Sequence, residues 1–151
     1  MGSVLRAAGC YQVGSIHYTG SRYDRASQFV TDTKKRHLNI VPQQVDDLIS
    51  VAKTQGWQTV AVELVVGAVA LPDFKHPEQA MYIFGPEDGT IEQSTLNQCD
   101  AIVYVPTIGC MNLAATVNVV LYDRLVKQPN IVFGDELILA SRDTNNRTRR
   151  P

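Results

Sequence analysis

Apolar residues in this chain fall into two patterns, short unbroken runs and longer stretches at helical spacing, which alternate along most of its length. Short apolar runs closed by turn residues have the character of covered strands in an α/β sheet. "TVAVELVV" (59–66), the run Tyr82–Phe84 and "AIVYVP" (101–106) are of this kind, and "VGSIHYT" (13–19) alternates more weakly around Val13, Ile16 and Tyr18. Between them lie predicted helices. "GSVLRAAGC" (2–10) reads as a short helix ending near Gly9, and "PQQVDDLISVAKTQGW" (42–57) as an amphipathic one begun by Pro42. The second carries Val45, Leu48, Ile49 and Ala52 on one face, with Gly56 as its stop. "TIEQSTLNQC" (90–99) reads as a further helix. "NLAATVNVVLYDRLVKQ" (112–128) sets Leu113, Val117, Val120, Leu121 and Leu125 at the spacing of a helix packed on a sheet. The order α, β, α, β, β, α, β ahead of that last helix predicts an α/β fold.

The remaining segments lack a clean period. Residues 20–40 read as a loop with a short helix, and 67–80 as a turn-rich connection. After Pro129 the chain begins apolar and ends polar and basic, which predicts an extra packed segment followed by a frayed tail over about residues 141–151.

Composition narrows the class. A chain of 151 residues, 44% hydrophobic and 19% charged, fits one soluble globular domain over 1–151 with a core of its own. No apolar stretch has the length or flanks of a membrane span or signal peptide, so a cytoplasmic protein with no membrane partner is expected. Cys10, Cys99 and Cys110 are far apart and without C-x-x-C spacing, and His17, His37 and His76 are equally scattered. Reduced thiols are therefore expected, with no metal site. The net charge of -1 gives no global sign of nucleic-acid binding, which leaves such a partner to a local patch. Arg22, Arg25, Lys34, Lys35 and Arg36, interleaved with Tyr23 and Phe29, form the candidate. Runs of this kind are also commonly just a solvated face.

Several familiar chemistries find no footing. The chain has no G-x-G-x-x-G after its first strand, no phosphate-binding lysine loop, no H-E-x-x-H and no G-x-S-x-G. Cys110 has no histidine near it in sequence, and its plainest reading is a buried, inert thiol. More informative is "YIFGPEDGTI" (82–91), where a strand stops in glycines bracketing a proline and two carboxylates. Ligands of open α/β sheets sit beyond the carboxyl ends of the strands, where glycine lets the backbone come close.

Three separated segments carry a family likeness: "GSVLRAAG", "FGPEDGTI" and "VPTIGCMNLAATVNVVLYDRL". Gly2 and Arg6 fit a motif N-x-G-x-x-x-R. Phe84, Gly85, Glu87 and Gly89 fit F-G-x-E-x-x-G. Val105, Pro106, Asn112 and Leu113 fit a strand end, loop and helix start of the form I/V-P then S-x-N-L, with Cys110 where the serine usually stands. Together they resemble the SPOUT superfamily, specifically SpoU or TrmH-type RNA methyltransferases, over most of the chain from Gly2 to about Lys127. The resemblance implies a knotted, open and mostly parallel sheet with helices on both faces and a C-terminal trefoil knot. It implies a homodimer whose active sites draw on both subunits, methylating ribose 2′-hydroxyls of tRNA or rRNA with S-adenosylmethionine. Val62, Glu63, Gly85, Gly89, Val105, Cys110 and Leu113 would then line the donor pocket.

Arg6, Glu87 and Asn112 would serve the reaction. A guanidinium stays protonated, so Arg6 would stabilise charge on the ribose oxygen rather than act as a base. Glu87 would orient it or hold loop backbone, and Asn112 would fix substrate or loop. The local readings stand beside these: a solvated Arg6, a helix-start carboxylate at Glu87, and plain turn glycines at 85 and 89. The first motif's asparagine would fall one place ahead of Met1, and the family's preceding strand is not in the sequence. The likeness thus implies a natural reading frame extending upstream. The rival readings are a non-catalytic RNA- or donor-binding remnant and a generic flavodoxin-like nucleotide domain, the latter without its phosphate loop.

Overall fold

The computed structural model describes residues 2–21, 40–142 and 145–148. Arg22, Arg25, Lys34, Lys35 and Arg36, the candidate RNA patch, lie outside the described residues. In chain order the elements are α1 (Gly2–Cys10), β1 (His17–Tyr18), β2 (Gln43–Gln44), α2 (Leu48–Gln55), β3 (Gln58–Val62), β4 (Val69–Ala70), a 3-10 turn (Leu71–Asp73), β5 (Ala80–Phe84), α3 (Gln93–Leu96), β6 (Ala101–Tyr104), α4 (Leu113–Val126) and α5 (Asp135–Ser141).

Four strands form one parallel sheet in the order β4-β6-β3-β5, and β1 pairs with β2 in a separate parallel ribbon. The central strand β3 sets the register. Val60 stands opposite Tyr82 and Ala101, and Val62 opposite Phe84 and Val103, so all six share one face. Val120 of α4 covers that face together with Leu71. Ala61, Met81 and Ile83 project from the other face, where Ile49 and Ala52 of α2 and Leu96 of α3 cover them. Helices thus lie on both faces, which explains why every residue of β3 except Gln58 is buried and why it reads as an unbroken apolar run. β5 is the last strand on its side among the described residues. A groove of about 770 Å³ borders it, walled in part by residues 11–17 and by Val117, Leu121 and Leu125.

Five expectations change. The helix expected from Pro42 begins at Leu48, because Asp47 caps it by accepting from the backbone N–H of Ile49 at 3.1 Å and Ser50 at 3.0 Å. Gln43 and Gln44 ahead of it pair with β1 instead. The strand expected to run to Val66 stops at Val62, where the chain turns with Val65 N–H bonded to the Glu63 carbonyl at 3.1 Å. The connection 67–80 contains an edge strand, β4, and the helix expected over 90–99 is four residues long. Finally, the segment after Pro129 does not pack: α5 buries none of its residues, and Val132, Phe133, Leu137, Ile138 and Leu139 are exposed.

A polar network fastens α4 to the chain between β4 and β5. His76, with a side chain only 5% exposed, donates from Nε2 to Asp123 Oδ2 at 2.8 Å. Its Nδ1 lies 2.6 Å from the Tyr82 hydroxyl, which also takes an N–H from Arg124 at 3.0 Å. Arg124 further donates to the carbonyls of Pro77 at 2.6 Å and Glu78 at 2.7 Å. Lys127 joins Asp123 at 2.6 Å and the Leu71 carbonyl at 2.6 Å. Both His76 nitrogens and the Tyr82 hydroxyl are satisfied if His76 is neutral, and burial does push its pKa below the ordinary value, more than the neighbouring Asp123 raises it.

Candidate functional site

Because β3, β5 and β6 run parallel, their carboxyl ends meet on one edge of the sheet, and the loops that leave them enclose a cleft of about 380 Å³. That volume suits a drug-sized ligand. The β3 end supplies Val62, Glu63 and Leu64. The β5 end supplies Phe84, Gly85, Pro86, Glu87 and Gly89, and the β6 end leads through Tyr104, Val105, Thr107 and Gly109 to Cys110–Leu113 and Thr116.

Each loop has a local cause. Gly85 leaves β5 without a side chain because a Cβ there would come within 3.2 Å of Glu63 Oε2 and 3.3 Å of the Ile91 nitrogen. Gly109 turns the third loop at φ +88°, a left-handed backbone that glycine adopts without strain. Asn112 then starts α4 as its N-cap, its Oδ1 accepting from the Ala115 N–H at 2.8 Å. Behind the cleft, Thr59 donates its N–H at 2.7 Å and its hydroxyl at 2.8 Å to Asp100, fixing the entry to β6 against β3. The backbone N–H of Thr59, and then its hydroxyl, hold the Asp100 carboxyl below its usual range.

Glu63 and Glu87 are the lining carboxylates, and no lysine, arginine or histidine among the described residues lines the cleft. A cation is therefore favoured there over an anion. Among the described residues no cluster of metal-ligating side chains occurs. The thiols of Cys10, Cys99 and Cys110 are all free. Burial pushes the Cys99 thiol up, whereas Cys110, expected to be buried, is exposed at the cleft.

The seven residues expected around a donor, Val62, Glu63, Gly85, Gly89, Val105, Cys110 and Leu113, all line this cleft, as do Glu87 and Asn112. Arg6 does not: it is exposed on α1, outside the cleft lining. Sequence reasoning missed Leu64, Tyr104, Thr107, Met111 and Thr116, which the strand-end and loop positions could have flagged.

An α/β protein with a ligand cleft at its parallel strand ends is the class that fold and site define. The sequence model of the SpoU rRNA methylase family matches residues 1–122. The chain belongs to that family. Among solved structures, a tRNA-modifying TrmH/SpoU enzyme of A. aeolicus superposes with a TM-score of 0.68 at 18% identity, over 81% of this chain and 65% of that one. An RNA 2′-O ribose methyltransferase superposes at 0.69 and 17% identity, over 83% of this chain and 50% of that one. The methyltransferase AviRb of Streptomyces viridochromogenes, in complex with AdoMet, does so at 0.65 and 18% identity, over 81% and 53%. These likenesses carry the fold. The chain spans from half to about two-thirds of the length of these proteins. A comparison with curated proteins found no match.

Proposed function

We propose that the cleft binds S-adenosylmethionine and that the protein is an RNA methyltransferase acting on ribose 2′-hydroxyls of tRNA or rRNA. The observation that carries this reading is the cleft itself: residues of the second and third family motifs, together with the end of β3, line one cavity of about 380 Å³. Bound there, the donor would supply a methyl group activated by a sulfonium. An acidic lining with, among the described residues, no basic side chain suits that cation, and the strand-end carbonyls and N–H groups suit its adenine.

Three further features belong to the same proposal. The chain closes in a C-terminal trefoil knot, its last sheet-packed helix threaded through an earlier loop. The protein acts in the cytoplasm as a homodimer; among the described residues no helix is long and apolar enough to cross a membrane. Exposed Val119, Tyr122 and Val126 on α4, together with the apolar residues of α5, supply a surface for the second copy. Arg6, outside the cleft of its own chain, would then act at the partner subunit's cleft by stabilising charge on the oxygen of the RNA ribose. RNA phosphates would be met by Arg22, Arg25 and Lys34–Arg36.

The test is transfer of tritiated methyl from S-adenosylmethionine to total tRNA and rRNA, followed by nucleoside analysis. Label in 2′-O-methylated nucleosides is expected. Label confined to bases overturns the ribose assignment, and donor binding without transfer favours the non-catalytic alternative.

A further inference from the structure

Glu63 lies at the end of β3, where both of its carboxylate oxygens are engaged by backbone. Oε1 accepts from the Leu64 N–H at 2.9 Å, and Oε2 accepts from the Ile91 N–H at 3.1 Å across to the loop that follows β5. Ile91 is 7% exposed, its side chain set in the core beside Leu96 and Ala61. The loop 85–91 is thus anchored at one end by β5 and at the other by Ile91, with Glu63 tying its far end back to the neighbouring strand. Glu87 and Gly89, two walls of the cleft, hang between these anchors. Gly85 is part of the same junction, since a Cβ there would press on Glu63 Oε2.

We propose that Glu63 is a positioning residue, resting on the donor-binding reading above: it shapes the cleft by holding the 85–91 loop through the Ile91 N–H, rather than by presenting a free carboxylate to the ligand. A carboxylate with one N–H on each oxygen is already partly satisfied, and its bond to Ile91 spans 28 residues of sequence. A charged hydrogen bond of this kind fixes geometry more firmly than a neutral one.

Two measurements on the full chain separate the roles: hydrogen exchange at the Ile91 amide, and donor affinity by calorimetry. In Glu63→Ala the Ile91 amide should exchange at least about tenfold faster, with the amides of β3 unchanged. The dissociation constant for S-adenosylmethionine should rise about fivefold or more. Glu63→Gln keeps an oxygen able to accept from Ile91, so it should restore the amide's protection and bring affinity back to within about threefold of wild type. Unchanged Ile91 exchange in the alanine variant overturns the proposal. So does a glutamine variant that protects Ile91 yet binds donor as weakly as alanine, because the charge would then act on the ligand itself. If the wild-type chain binds no donor, the proposed function fails on its own, and the Ile91 exchange still decides whether Glu63 holds the loop.

Discussion

Tyr82→Phe removes one oxygen from the network that binds α4, and with it the wall of the cleft that α4 begins, to the chain before β5. The phenyl ring keeps its place, so no cavity opens. What is lost is the hydroxyl that lies 2.6 Å from His76 Nδ1 and takes the Arg124 N–H at 3.0 Å. Arg124 retains its bonds to the Pro77 and Glu78 carbonyls. His76 Nδ1, on a side chain 5% exposed, is left without that partner. An unmade hydrogen bond at a buried group costs about 1–3 kcal/mol, which for a domain of this size lowers Tm by roughly 2–12 °C.

The burial of His76 also sets a pH dependence. Burial raises the Tyr82 pKa, so the phenol remains a donor at neutral pH. In the folded protein His76 titrates below its ordinary value of 6.5. The unfolded chain therefore takes up the proton first, and stability falls as pH drops through about 6.5 toward the lower folded value. Burial, the largest cause of the lowered His76 pKa, is kept in Tyr82→Phe, so the fall in stability toward acid pH should persist in the variant. Urea denaturation of both proteins at pH 7.5 and 5.5 measures both effects. A variant within about 0.5 kcal/mol of wild type, or a stability that does not fall between pH 7.5 and 5.5, would refute the reasoning.

Asn112→Ala removes the N-cap of α4 and should cost about 1 kcal/mol in chemical denaturation; no loss would mean that the cap is replaced by water. Arg6→Ala should bind S-adenosylmethionine within about twofold of wild type while transferring methyl groups at least about a hundredfold more slowly. Mixing Arg6→Ala subunits with donor-binding variants should recover part of the activity if Arg6 works across a dimer, and none if it works within its own chain.

The buried strands were legible because both faces of the sheet are covered, which turns β3, β5 and β6 into apolar runs with little ambiguity. Helix α4 was equally plain, since Asn112 caps it and Val117 and Val120 fall on one face. Where local signals competed, the sequence misled. Pro42 favours a helix start but also suits extended chain, and Asp47, with two N–H groups to accept, marks the true boundary. Val65 and Val66 continue the apolar run of β3, yet the turn at Glu63 ends the strand, a contact with Ile91 that no local pattern contains. The apolar residues of α5 looked like core and are exposed, because patterning records what a segment can bury and not which surface will cover it.

The cleft was legible at its glycines and strand ends, through the motif residues that line it. Its architecture was not. The Glu63 tie, the contact of a Gly85 Cβ with that carboxylate, and the place of Arg6 outside the cleft all depend on how distant segments meet. The polar network around His76 was also hidden, because its members lie up to 56 residues apart and none forms a recognisable motif.

Isothermal calorimetry of the chain with S-adenosylmethionine, run beside Gly85→Val, decides whether the strand-end cleft is a donor site. Wild type should bind one donor per chain. A side chain at position 85 would press on Glu63 Oε2 at 3.2 Å and on the Ile91 backbone, so Gly85→Val should keep its far-UV circular dichroism yet bind at least about tenfold more weakly, roughly 1.4 kcal/mol. Absence of binding by the wild-type chain, or equal affinity in a well-folded Gly85→Val protein, would contradict the assignment of the cleft.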